Sequence, residues 1–266
     1  MRGFWYNGFM KSKEKFLIIG NWKANPNNLA LARKYFSSFQ KKISKYKNVD
    51  LVICPPFIFL EDLKKLSRGV VLGSQDFFYE PFGAFTGEVG YEALVSARIK
   101  YAIVGHSERR ARGEDNEIVN KKLIACMGGN IKPILCVGEK DRDQEMSYLS
   151  FIKEQIETAF RGIPQSKVKN IVIAYEPVWA IGKNAKRDAT PKEIEEIAIF
   201  IKRVIGDLYH TKSLPPVKIL YGGSVNTKNV EKILGESGVS GVLVGSASLK
   251  PVEFAEIVEV ANFIKR

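Results

Sequence analysis

Histidine is scarce in this 266-residue chain: His106 and His210 stand against 41 Lys and Arg and 29 Asp and Glu. Two imidazoles cannot build a His-rich metal centre. Cysteine is scarce too. Cys54, Cys126 and Cys136 are odd in number and far apart. That excludes a disulfide framework and the close spacing of a zinc site, and reads as free thiols in a reducing compartment. No apolar run approaches the roughly 18–20 residues that a membrane-spanning helix needs. The glycine-rich turn of a dinucleotide site is missing after the first apolar run, where Asn21-Trp22-Lys23-Ala24-Asn25 stands instead.

Acid is nearly missing from the first 48 positions, where Glu14 faces eleven Lys and Arg. The rest of the chain holds 30 basic and 28 acidic residues, so the net charge of +12 belongs mostly to the N-terminal region. A basic region can attract RNA, an acidic membrane or anionic metabolites. No nucleic-acid motif accompanies this one, so a solvated helix face is expected, with no nucleic-acid or membrane partner. Residues 1–15 read as a disordered extension. Their apolar stretch is broken by Asn7 and Gly8, too short for a signal peptide, and Met10 is a second candidate start. A cytoplasmic protein with one domain over 16–266 is expected, a length that suits a single α/β barrel.

What is present is alternation. Short apolar runs at Phe16–Asn21, Leu51–Cys54, Val70–Gln75, Tyr101–Gly105, Ile131–Cys136, Ile171–Tyr175, Val217–Tyr221 and Gly241–Val244 read as eight buried strands. Helical periodicity fills the gaps, as in Leu31, Tyr35, Phe39 and Ile43, or Ile194, Ile197, Ile201 and Ile205. The second of these opens on Thr190-Pro191-Lys192-Glu193, an N-cap, a proline at the first helical position and a capping-box glutamate. Eight strand–helix repeats predict a (β/α)8 barrel, with an open doubly wound sheet as the alternative.

In such a barrel the chemistry sits where strands end. Those positions hold Asn21 and Lys23, Gln75 and Asp76, His106, Ser107 and Glu108, Cys136 and Glu139, and Glu176. Gly222-Gly223-Ser224 follow the seventh strand and Gly245-Ser246 the eighth, where backbone N–H groups commonly hold phosphate. A base, a cation, an imidazole and a phosphate cradle on one face predict an enzyme acting on a small phosphorylated substrate. Each residue alone has a plainer reading, His106 as a core histidine and Lys23 as a surface lysine; their coincidence on one face carries the prediction.

The strings NWK at 21–23, AFTGE at 84–88, GHSERR at 105–110, AYEPVWAIG at 174–182, YGGSV at 221–225 and VGSASL at 244–249 resemble the triosephosphate isomerase family from about Phe16 to the C-terminus. The resemblance implies interconversion of dihydroxyacetone phosphate and D-glyceraldehyde 3-phosphate through an enediolate, in glycolysis and gluconeogenesis, with no metal or redox cofactor. It implies Glu176 as base, His106 as neutral electrophile and Lys23 as electrostatic stabiliser. Asn21 would bind a substrate oxygen, and Glu108 would position Lys23 and His106. Gly182, Ser224, Gly245 and Ser246 would hold the phosphate. It further implies a lid at 177–189 and a homodimer joined through the loop 76–88. Another phosphate-binding barrel isomerase, or a relative that only binds, are the competing readings. The chain departs from the family pattern in its lid, AIGKNAKRDATP, which is two residues longer and lacks TGK. It departs also at Ser246, where a second glycine is usual, and at Asp76 and Ala24.

Overall fold

The computed structural model describes residues 14–43, 45–182, 185–211 and 215–264. Eight parallel strands close into a barrel in chain order. They are β1 (Phe16–Asn21), β2 (Val49–Cys54), β3 (Val71–Ser74), β4 (Tyr101–Val104), β5 (Lys132–Val137), β6 (Val172–Tyr175), β7 (Lys218–Tyr221) and β8 (Gly241–Val244). The barrel alternative is therefore the right one, and the open sheet is not found. β1 pairs with β2 from Phe16↔Val49 and with β8 from Leu17↔Gly241, which completes the ring. Gly241 has φ 154, and a Cβ there would collide with the Leu17 backbone, so glycine is what lets β8 close on β1.

Alternation decides the packing. Leu17, Ile19, Val52, Ile103, Ile134, Val172, Leu220 and Leu243 fill the barrel interior. Their neighbours Ile18, Ile53, Val104, Leu135, Ile173, Ile219 and Val242 face outward into the helix layer. Both strand faces are thus buried, which is why the strands read as continuous apolar runs.

The helices are α1 (Leu29–Ile43), α2 (Phe57–Leu66), α3 (Tyr91–Ser96), α4 (Ser107–Arg110), α5 (Asn116–Gly129), α6 (Ser147–Phe160), α7 (Gln165–Val168), α8 (Pro191–Leu208), α9 (Val230–Glu236) and α10 (Pro251–Phe263). In α1 the buried stripe is Ala32, Phe36, Phe39 and Ile43. The predicted Leu31 and Tyr35 lie only half-buried beside it, one residue round the helix, with Tyr35 edge-on to Trp22 at 6.5 Å. α8 follows its periodicity: Ile194, Ile197, Ile201 and Ile205 are all buried, and Thr190 with Glu193 forms the capping box. No helix among the described residues is long and apolar enough to cross a membrane. Residues 1–13 of the expected extension lie outside the described residues, whereas Glu14 and Lys15 are exposed.

Candidate active site

At the end where the strands finish, a cavity of about 510 Å³ is lined by Asn21, Lys23, His106, Glu176, Gly182, Gly222, Ser224, Gly245 and Ser246, among others. A second hollow, about 450 Å³, lies on the other side of Glu176 and is mostly carbon-lined; it lacks the glycine and serine donors of the first.

Glu176 is the first residue after β6, and its N–H donates to the Val137 carbonyl (2.8 Å), continuing the β5–β6 ladder. The carboxylate is 3% exposed. Its Oε2 accepts from the Ser107 N–H (2.9 Å) and its Oε1 lies 3.1 Å from His106 Nε2. Gly222 makes room for it, since a Cβ there would stand 2.9 Å from Glu176 Cγ.

His106 follows the turn after β4 and caps α4, and it is 6% exposed. Its Nδ1 accepts the Glu108 N–H at 3.1 Å. A nitrogen that accepts carries no proton, so the imidazole is neutral and its one N–H is at Nε2, aimed at Glu176. The first turn of α4 thus serves both groups: Ser107 N–H holds the carboxylate and Glu108 N–H sets the imidazole tautomer.

Lys23 stands with φ 51. Asn21, buried at the end of β1, accepts the Lys23 N–H at 3.0 Å, and the Gln75 side chain donates to the Lys23 carbonyl at 2.8 Å. These two contacts hold a backbone shape that a non-glycine residue rarely adopts. The Lys23 ammonium meets Glu108 Oε1 at 2.6 Å. Burial pushes the Glu108 carboxyl up, but the hydrogen bond and charge of Lys23, with Arg112 behind it, outweigh burial and hold it below the usual range. The Lys23 side chain runs past Gly245, within 4.0 Å of where a Cβ would sit.

Gly245 leads into a 3-10 turn, Ser246–Leu249, in which Ser248 returns two hydrogen bonds to the Gly245 carbonyl. Ser246 is not among the residues with positive φ, so a side chain fits there and the departure from glycine costs no strain. Across the cavity, the Ser224 N–H and hydroxyl both donate to the Ala180 carbonyl, at 3.2 and 2.8 Å. All the sequence-predicted site residues therefore converge on one cavity, except that Glu108 reaches it only through Lys23 and His106.

Other contacts were not foreseen. Gln75 stood among the strand-end residues, but nothing in its position marked it as the brace for Lys23. Asp76 is half-buried: it pairs with the buried Lys122 and, at 2.9 Å, with the partly exposed Arg109, while the buried Glu114 takes Lys122 at 2.8 Å. Cys136 lies in the barrel interior beneath Glu176, and burial, reinforced by the Glu176 charge, pushes its thiol up. Glu139 gathers the Tyr175 hydroxyl, the Trp179 N–H and Arg142 on its Oε1, at 2.9, 2.8 and 3.0 Å. Beyond Trp179 the segment leading to α8 adds its own contacts. Arg187 stacks on the Trp179 ring at 4.5 Å and pairs with Glu193 at 2.5 Å, and Lys186 meets Asp141 at 2.5 Å. The Arg187 hydrogen bonds pull the Glu193 carboxyl down to about 2, against its partial burial. Lys183 and Asn184 of this segment lie outside the described residues.

The model of the triosephosphate isomerase family matches residues 16–261. The chain is 42% identical over 246 residues to the triosephosphate isomerase of Aquifex aeolicus, covering 91% of this chain and 98% of that protein. It is 39% identical over 246 residues to that of Dictyoglomus turgidum, with the same coverage. Against that of Dehalococcoides mccartyi it is 38% identical over 255 residues, covering 94% of this chain and 98% of the other.

Proposed function

Since this chain belongs to the triosephosphate isomerase family and interconverts dihydroxyacetone phosphate and D-glyceraldehyde 3-phosphate, a glycolytic step, we propose that Glu176 is the base that moves the proton between their carbons. Glu176 takes the pro-R proton from C1 of dihydroxyacetone phosphate and returns it at C2. His106 gives its Nε2 proton to the carbonyl oxygen as the enediolate forms, and the substrate oxygen takes the place that Glu176 Oε1 occupies in the free enzyme. Lys23 offsets the developing negative charge, and Asn21 donates to a substrate oxygen. Glu108 is a positioning residue, holding Lys23 by its carboxylate and His106 by its N–H. The observation that carries this reading is the 3.1 Å approach of Glu176 Oε1 to a neutral His106 whose Nδ1 is occupied.

A site built for the enediolate binds a planar, phosphorylated enediolate mimic more tightly than it binds glycerol 3-phosphate. The expected preference in calorimetry is about 100-fold or more. Equal affinities would count against the proposal.

Gly182, Ser224, Gly245 and Ser246 hold the phosphate through their N–H groups, and the loop 177–189 is the lid. Ser224 links the two. Its donors are engaged by the Ala180 carbonyl, so phosphate binding trades a lid contact for a ligand contact and couples closure to substrate. The two extra lid residues leave the chemistry in place but change the lid's kinetics, because Arg187 stacks across the lid on Trp179 and ties it to Glu193 of α8. An exposed contact of this kind is worth about 0.5–1 kcal/mol, so Arg187→Ala should open the lid about two- to fivefold faster in relaxation measurements. An unchanged opening rate removes the tether.

The homodimer rests on the loop 76–88. Its tip carries Phe82, 76% exposed, while its base is tied down through Asp76 by Lys122 and Arg109. A shallow hollow beside Lys23, lined by Pro26, Leu29, Pro56, Ile58 and Phe59, offers the partner's tip an apolar seat. Sedimentation at the mass of two chains is expected, and a monomer at enzyme concentrations in the assay contradicts it.

A further inference from the structure

The charge of this chain is polarised along the barrel axis. Lys15 leads into β1, Lys47 into β2, Arg68 into β3 and Lys100 into β4, while Lys132 and Lys218 open β5 and β7. Counting each segment from a helix end to the first residue of the next strand, with α7 and the lead into β1 included, eleven Lys and Arg face one acid, Glu14, among the described residues, and the exposed Asp50, second in β2, lies beside Lys15 and Lys47. The segments that leave the strands, where the catalytic cavity opens, hold ten basic and twelve acidic residues on the same footing. Ten of the eleven cations at the strand-entry end are exposed, and Lys218 is half-buried. Only Lys45 (to Glu259, 3.9 Å) and Arg161 (to Glu117, 2.9 Å) meet a carboxylate among the described residues.

Lysines near helix C-termini can be explained by the helix dipole, as with Lys41 and Lys42 of α1. That explanation does not reach Lys15, Lys132 or Lys218, which flank or open strands. Apolar side chains stand among the cations: Phe263, at the end of α10, is 69% exposed and edge-on to Tyr46 at 6.4 Å, and Tyr46 sits between Lys45 and Lys47. Residues 1–13 precede Glu14 in the chain and lie outside the described residues. They carry Arg2, Lys11 and Lys13 with Phe4, Trp5, Tyr6, Phe9 and Met10, and no acid.

We infer that the strand-entry face of the barrel docks the protein on an anionic lipid surface. The cations ring the face at the entries of different strands, so a flat, laterally extended polyanion meets all of them at once, whereas a strand of nucleic acid covers one sector. Aromatic side chains among lysines suit the headgroup region, and the N-terminal residues add both kinds. The catalytic cavity lies at the opposite end of the barrel and stays open to solvent in this orientation, so docking and turnover are compatible.

The test is sedimentation of the full chain with vesicles of phosphatidylcholine alone or with about 30% phosphatidylglycerol. Binding to the anionic vesicles only, falling about tenfold between roughly 0.1 and 0.5 M NaCl, with isomerase activity retained in the pellet, is expected. Lys47→Glu, Lys100→Glu, Lys132→Glu and Lys169→Glu together should lose about tenfold or more of the binding and keep the turnover measured in solution, which also reports folding. Removing residues 1–13 should weaken binding without abolishing it, a second test that does not depend on how the quadruple variant folds. No binding to either vesicle, equal binding to both, salt-insensitive binding, or salt-sensitive retention of RNA without vesicle binding would each overturn the proposal.

Discussion

Glu176→Gln is expected to lower kcat for glyceraldehyde 3-phosphate by about 10³–10⁴-fold and to move KM by no more than about threefold. Glutamine keeps the length of the side chain and an oxygen for the Ser107 N–H, now 2.9 Å from Glu176 Oε2. It can also sit beside Gly222 without new crowding. What it loses is basicity, and a base contributes to the transition state far more than to ground-state binding. The variant should therefore fold, bind the phosphate through Gly245, Ser246 and their neighbours, and fail at proton abstraction. A loss of less than about tenfold would remove Glu176 from the role of base.

His106→Gln is expected to cost about 10²–10³-fold in kcat, the scale of one preorganised donor at a developing oxyanion. The amide can reach toward the same oxygen, so some polarisation survives. It cannot both accept from the Glu108 N–H, as Nδ1 does at 3.1 Å, and shuttle a proton between two substrate oxygens as a neutral imidazole can. The enediolate mimic should lose affinity in this variant in parallel with kcat, while glycerol 3-phosphate is affected little. Loss of binding for both ligands alike would instead mean that His106 shapes the cavity and does not act on the transition state.

Much of this was legible in the residues because a closed barrel turns a one-dimensional feature into a place. A residue at a strand end is on the same face as every other residue at a strand end, so Asn21, Lys23, His106, Glu176, Ser224 and Gly245 could be grouped before any coordinates existed. β1 and β8 begin and end where their apolar runs do. β2 starts earlier than its run, at Val49, because pairing with β1 is set by the ladder and tolerates an exposed Asp50 in the middle. β4 stops at Val104 and does not take in Gly105, whose φ of 71 turns the chain out of the extended form toward His106. The contacts that escaped are long-range side-chain pairings. Gln75 bracing the Lys23 carbonyl, Arg187 lying on Trp179 and the charged quartet around Asp76 depend on which side chains the fold brings together, and no local pattern announces them. The basic N-terminal region was legible as charge, but its geometry was not. Only the barrel shows that the same polarity continues along the strand-entry end from Arg68 to Lys218.

The most direct test of the central claim, that the Glu176 carboxylate carries the proton, is a coupled assay with glyceraldehyde 3-phosphate on the wild type and Glu176→Asp in parallel. Aspartate keeps the carboxylate and withdraws it by one methylene. A displacement of about 1 Å from the reacting carbon can cost about 100-fold, so rapid wild-type turnover falling by at least that factor, at nearly constant KM, is the predicted result. Equal rates for the two enzymes, or no turnover by a folded wild type, would contradict it.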